Sequence, residues 1–366
     1  MTLLYSFFDL LRPDTLYRTA WAFVCLILIL LLLIYWSLYK RKRVFFQQKS
    51  FRDGFEEWLS ELMMEEEEDE GSAELPAIPE KFTKHFKNPV KRQFAVDILM
   101  DLKKSVSGSL GDNIINLYLQ LGFKDESVRK LRSRKWYEQV KGINELSVMK
   151  QEDSYSRIFK FTNDRNIYVR REAQTALFSF SGFGGLRFLN VLTYPMSEWQ
   201  QLNLIEQLRP LNPEPMPGIP RWLRSDNDTV VLFALKLAEI YQCFEVHDDV
   251  AHCLQHKDEK IRNQAVKTLR EISNETTAAL LCDHYPTESL RNKINILNNL
   301  NAIAGDEQLP FLVKELDNEN EFLKLGAGRV MINCCSQGLE VLEAKAAEQP
   351  VPFGDIYNHL IYEIQR

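Results

Sequence analysis

Apolar and polar positions follow three regimes along this chain. From Ala20 to Leu38 apolar residues run almost unbroken, with only Ser37 and the interfacial aromatics as polar punctuation. As a helix that run is about 28 Å long, close to the hydrocarbon thickness of a bilayer. A cleaved leader would start its apolar region near the first residue and end it at a small-residue site. Here a lead-in precedes the run and Lys40-Arg41-Lys42-Arg43 follows it, so a retained transmembrane helix is predicted over 20–39. In the second regime Phe51, Phe55, Trp58, Leu59 and Leu62 recur at helical spacing, which predicts an amphipathic juxtamembrane helix over 40–64. Its apolar face has two readings: a surface for the membrane interface or a partner, or a plain inward extension of the anchor. The third regime, from 81 onward, carries short helical stripes that repeat.

Aromatic residues frame the span, with Trp21 at one end and Tyr35, Trp36 and Tyr39 at the other, as in the belts at membrane interfaces. Basic residues set its direction. Arg12 and Arg18 precede it, whereas Lys40, Arg41, Lys42, Arg43, Lys49 and Arg52 follow it. Six against two predicts the N-terminus outside and the body in the cytoplasm, at the inner membrane. Residues 1–19 are then a short extracytoplasmic or interfacial segment.

The stripes share one form. YVRREAQTAL places Val169, Arg170, Ala173 and Leu177 at the same offsets as Ile261, Arg262, Ala265 and Leu269 in KIRNQAVKTL. Acids Asp164 and Asp258 precede the two copies. Looser copies begin at Asp125, Asp228 and Asn318, and one lies in NPVKRQFAVDIL. Apolar residues eight apart with a small Ala between them make a stripe on which a neighbouring helix can pack closely. The acid is placed to cap and to meet the positive end of the helix dipole. The Arg can reach an acid of the adjacent repeat. Such a unit needs stacked neighbours to bury its face.

This arrangement resembles the HEAT-repeat family, in the armadillo-like superfamily of α-solenoids, over roughly residues 81–345. The resemblance implies an all-α fold: a single transmembrane helix followed by an α-solenoid of HEAT-like helix pairs over 81–366. Stripe starts near Val128, Val169, Val230, Ile261, Leu290 and Leu323 are 41, 61, 31, 29 and 33 residues apart. The short intervals are similar to the compact bacterial form of the repeat. The 61-residue interval contains RPLNPEPMPGIP, whose five prolines predict a loop at 209–220, and leaves open a degraded helix pair within 196–220.

Charge sharpens this picture once it is divided. The net −6 of the 366 residues splits into +3 over 1–60, −9 over 61–80 and zero over 81–366. The acidity sits in EEEEDE and the Pro-containing stretch after it, so 65–80 is predicted to be a solvated linker. A neutral body offers no general field for nucleic acid. Six cysteines at irregular spacing, one of them in the span, read as reduced thiols, in keeping with a cytoplasmic body.

Candidate chemistry is thin. His247, Asp248, His252, Cys253 and His256 include an i,i+4 histidine pair, yet lack the glutamate or second Cys pair of a zinc site. Cys334-Cys335 and Cys282-Asp283-His284 lack partners for redox or nucleophilic work. Ser181–Gly185 reads as an interhelical turn and not a phosphate loop. No metal, cofactor, catalytic residue or small-molecule substrate is predicted. The candidate interaction surface is basic: Arg129, Lys130, Arg132, Arg134, Lys135, Arg170 and Arg171. It either meets anionic lipid or an acidic partner, or forms ordinary pairs between repeats.

The expected function is a membrane-anchored scaffold or adaptor that binds a protein at the inner membrane surface, such as a membrane-embedded enzyme or signalling complex. Two rivals stand beside it. One is a HEAT-like enzyme, since HEAT-like relatives include bilin lyases and base-excision enzymes; the other is an extracytoplasmic envelope interaction module.

Overall fold

A computed structural model of the chain describes residues 13–68, 78–211 and 215–364. The lead-in through residue 12 and most of the acidic linker, residues 69–77, lie outside the described residues, as do the side chains of Arg41 and Arg43. Every regular element among the described residues is helical, so the fold is all-α. The chain divides into two compact units, residues 1–132 with 148–150, and residues 133–147 with 151–366.

In the first unit one helix, Pro13–Glu68, runs 56 residues without a break. It joins the apolar run, the amphipathic segment after it and the first residues of the predicted linker into one element. The linker boundary at 65 is therefore corrected: Glu65 to Glu68 are helical, as suits residues of high helix propensity. Within this helix Trp21–Lys40 has a mean hydropathy of 2.6 and no buried residue. Length and composition make it able to cross a membrane, and a signal sequence passes the same test.

Farther along, the same helix changes character. Phe51, Phe55 and Leu59 are buried against Phe82 of the helix Glu80–His85 and against Ala95, Val96 and Leu99 of the helix Pro89–Ser105. Phe55 meets Phe82 edge-on, ring centroids 5.2 Å apart, a favoured geometry for aromatic pairs. The amphipathic face is thus covered by the chain itself.

The second unit is a stack of helix pairs. Its first-of-pair helices begin at Trp136, Ile167, Glu198, Asp228, Glu259, Leu290 and Glu321, at intervals of 31, 31, 30, 31, 31 and 31 residues. Asp228–Ile240, Glu259–Glu271, Leu290–Ile303 and Glu321–Cys334 pack each on the next. Second members are short, as in Thr277–His284, Leu309–Leu316 and Gly338–Glu348. The 61-residue interval holds one whole further repeat, whose first helix is Glu198–Leu208 and whose second is cut to Ile219–Leu223 after the prolines.

Local chemistry explains the period. Asn166, Ser197, Asn227, Asp258, Ser289 and Asn320 stand just before six of these helices, and each side chain accepts a hydrogen bond from an N–H of the first turn. That bond satisfies a donor the helix itself cannot. Seven residues past each cap lies a core position, occupied by Ala173, Leu204, Ala234, Ala265, Ile296 and Ala327, all buried.

Candidate functional site

The seven basic residues singled out from the sequence divide between the units, Arg129, Lys130 and Arg132 in the first and the other four in the second. Two are not surface residues, which corrects the expected patch. Lys130 is buried and its ammonium bonds to Gln93 Oε1. Arg170 is 6% exposed, and its Nη1 donates to the carbonyls of Asp164 at 2.6 Å and Arg165 at 3.3 Å. Burial, only partly countered by Tyr194 and Asp164, lowers the Arg170 pKa from its ordinary value.

Arg262 occupies the same position in its own repeat and makes the same bonds, to the carbonyls of His256 and Lys257 at 2.8 and 3.2 Å. It also reaches an acid of the next repeat. Its Nε and Nη2 lie 2.6 and 3.1 Å from the two oxygens of Glu288, a bidentate pair of the strong kind. Burial pushes the Glu288 carboxyl up, but hydrogen bonds from Arg262, Asn292 and His284 outweigh it and hold the pKa at about 2. These Arg are therefore structural clasps.

Arg171, by contrast, faces a groove. Its guanidinium lies 4.5 Å over the Trp199 ring, and the two side chains line a cavity of about 330 Å³ with Tyr168, Val140, Thr175 and Asn203. Trp136 stacks on Tyr168 at 5.2 Å and meets Tyr137 edge-on at 6.0 Å, while the Lys135 ammonium sits 5.8 Å over Tyr137. Tyr168 and Trp199 are 57% and 59% exposed. Tyr137, Tyr168 and Trp199 stand at matching positions near the starts of three successive first-of-pair helices, so the repeat aligns them. Beneath the groove, Gln200 donates to Gln174 at 2.6 Å and Gln174 to the Thr162 carbonyl at 2.9 Å. Charge marks Arg171 and Lys135 in the sequence, but it does not mark the aromatics. Their regular interval was visible only with the hidden repeat in place.

The histidine-rich stretch is otherwise employed. His247 Nε2 bonds Thr277 Oγ1 at 2.9 Å, and His256 Nδ1 accepts from the Asp258 N–H at 3.0 Å. No group of three or more His, Cys, Asp or Glu placed to share a metal occurs among the described residues. Burial raises the thiols of Cys243 and Cys253 to about 11 and that of Cys282 to about 12, with help from Glu245, Asp249 and Asp283 respectively. Thiolate, the reactive form, is scarce at such sites. Cys334 and Cys335 are raised by burial in the same direction.

No family model and no curated protein matches the sequence. Among solved structures, an engineered protein is similar at 14% identity and TM-score 0.36, over 73% of this chain and 84% of that one. A chain from the complex of CpcE and CpcF of phycocyanin lyase from Nostoc sp. PCC7120 is similar at 12% identity and TM-score 0.25, over 80% and 98%. A second engineered protein is similar at 13% identity and TM-score 0.20, over 66% and 96%. At these scores the likenesses carry no inference about activity.

Proposed function

We propose that the protein is a single-pass membrane-anchored adaptor whose repeat unit holds a protein partner at the inner membrane surface. The observation that carries this reading is the groove on three aligned repeats, where exposed Tyr168 and Trp199 line the cavity with Arg171 and exposed Trp136 stacks on Tyr168. Trp, Tyr and Arg are the residues in which binding energy concentrates at protein interfaces, and repeat stacks present such residues on extended surfaces. The fully exposed apolar stretch Trp21–Lys40 supplies the anchor, and the basic residues after it favour a cytoplasmic body. Anchoring raises the effective concentration of a membrane partner.

Crosslinking in cells followed by mild detergent extraction tests both halves. A specific crosslinked partner is expected to co-purify from the membrane fraction, and the Trp199→Ala/Tyr168→Ala variant is expected to lose it while keeping its melting temperature. Equal recovery with the variant would remove the groove from the reading. An active alkaline phosphatase fused at residue 366 would put the body outside and favour the envelope module.

A further inference from the structure

In the first unit a second cavity, of about 630 Å³, opens beside the long helix just beyond its apolar stretch. Phe51 and Phe82 floor it, and Lys81, His85 and Lys91 stand around it with Ser50 and Asn88. None of the described residues lining it is acidic. Gly54 opens one wall, for a Cβ there would meet nothing within 4 Å.

Both ammonium groups are held over the aromatic floor, and neither pairs with a carboxylate among the described residues. Lys81 Nζ lies 4.9 Å from the Phe82 ring and Lys91 Nζ 5.7 Å from the Phe51 ring. Lys91 Nζ also lies 2.9 Å from His85 Nδ1, and burial, followed by the Lys91 charge, lowers the pKa of that imidazole. Lys84 on the same short helix behaves differently, for it is paired with Glu80 at 3.4 Å.

We propose that this cavity is a binding site for a phosphate-type oxyanion, taken between Lys81 and Lys91 with His85 and Asn88 completing the polar wall. Two ammonium groups with no carboxylate among the described lining residues favour a compact multivalent anion, which both can meet through charge-assisted bonds. Ser50 and Gly54 lie about 15–21 Å along the helix axis from Lys40, beyond a simple headgroup layer. That depth suits either a phosphorylated headgroup projecting from the bilayer or a free organic phosphate. The lipid source rests on the anchor reading; the oxyanion chemistry does not.

The test uses full-length protein in detergent, titrated calorimetrically with inorganic phosphate and with glycerol 3-phosphate. It is repeated by co-sedimentation with vesicles of phosphatidylcholine alone and with added phosphatidylinositol 4-phosphate. Lys81→Gln/Lys91→Gln is compared with Lys84→Gln/Lys87→Gln, which removes the same charge outside the cavity wall. The cavity variant is expected to weaken saturable binding about tenfold or more, and the control to change it less than about twofold. Saturation by the soluble probes identifies a free phosphate, and saturation only with phosphoinositide vesicles identifies a headgroup. Equal loss in both variants, or no saturable binding of any probe, overturns the site. Release of the chain from membranes in carbonate washes would instead overturn the anchor.

Discussion

Asn227 is typical of the residues that set this fold. Its Oδ1 accepts from the Thr229 N–H at 3.1 Å, while its own N–H donates to Ser225 Oγ at 3.2 Å. The same two-step turn recurs with Asp164 and Asn166, His256 and Asp258, and Asn318 and Asn320. Sequence reading assigned the capping role to acids, which suits Asp258 but misplaces Asp164 by two residues and Asp228 by one. A cap needs a short side-chain acceptor and not a charge, so Asn and Ser serve as well. The Arg clasp was legible in part, since Arg262 does reach an acid of the next repeat whereas Arg170 lies 4.3 Å over the Tyr194 ring.

Glu288 gives the clasp a pH signature. Its folded pKa of about 2 lies below the ordinary 4.5, so its ionised form favours the folded state. That contribution is complete above about pH 4.5 and is lost as pH falls toward 2. Acid titration of unfolding free energy should show the loss, and Glu288→Gln should flatten the curve within that window. Arg262→Ala would leave a carboxylate whose side chain is 1% exposed without its main partner. It should cost about 3–5 kcal/mol in denaturant unfolding.

Among the elements, Glu198–Leu208 explains why the period was hard to read. Its first core position is Gln200, where Val169, Val230 and Ile261 stand in three other repeats, and the matching position of Leu290–Ile303 is Asn292. An apolar template skips the first helix and shifts the second, and indeed Leu290, taken as a stripe start, is 48% exposed. Both polar residues are satisfied, Gln200 by Gln174 and Asn292 by Glu288 and Asn263. Buried amides so paired cost little. Of the loop expected over 209–220, residues 212–214 lie outside the described residues, and Pro220 lies within the short helix Ile219–Leu223, at a first-turn position that tolerates it.

Close packing within pairs is visible at Gly338, where a Cβ would stand 1.9 Å from the Met331 carbonyl. Gly→Ala at a helix start ordinarily stabilises by a few tenths to 1 kcal/mol. Here the backbone contact reverses the sign, and Gly338→Ala should destabilise by about 3 kcal/mol in thermal or denaturant melts.

For the molecule as a whole, the long apolar helix was legible as an apolar run, while the amphipathic face after it was open between a surface for the membrane interface or a partner and a plain extension of the same helix. Periodicity marks a face but cannot name what covers it. Phe51, Phe55 and Leu59 show the cover to be the chain's own helices. Deletion of residues 1–39 should leave the first unit folded, whereas deletion of 1–61 should unfold it. Hydrogen exchange at Leu99 and Leu117, buried in that core, reads the difference.

Because Pro13–Glu68 is one unbroken helix, its apolar stretch and its buried stretch share a rotational phase. Each residue turns a helix by about 100°. One alanine inserted after Lys42 would swing the outward half by that angle while leaving every core contact in place, and seven would nearly restore it. Whatever packs alongside the apolar stretch therefore meets a face whose azimuth is dictated by Phe51 and Phe55, farther along the same helix.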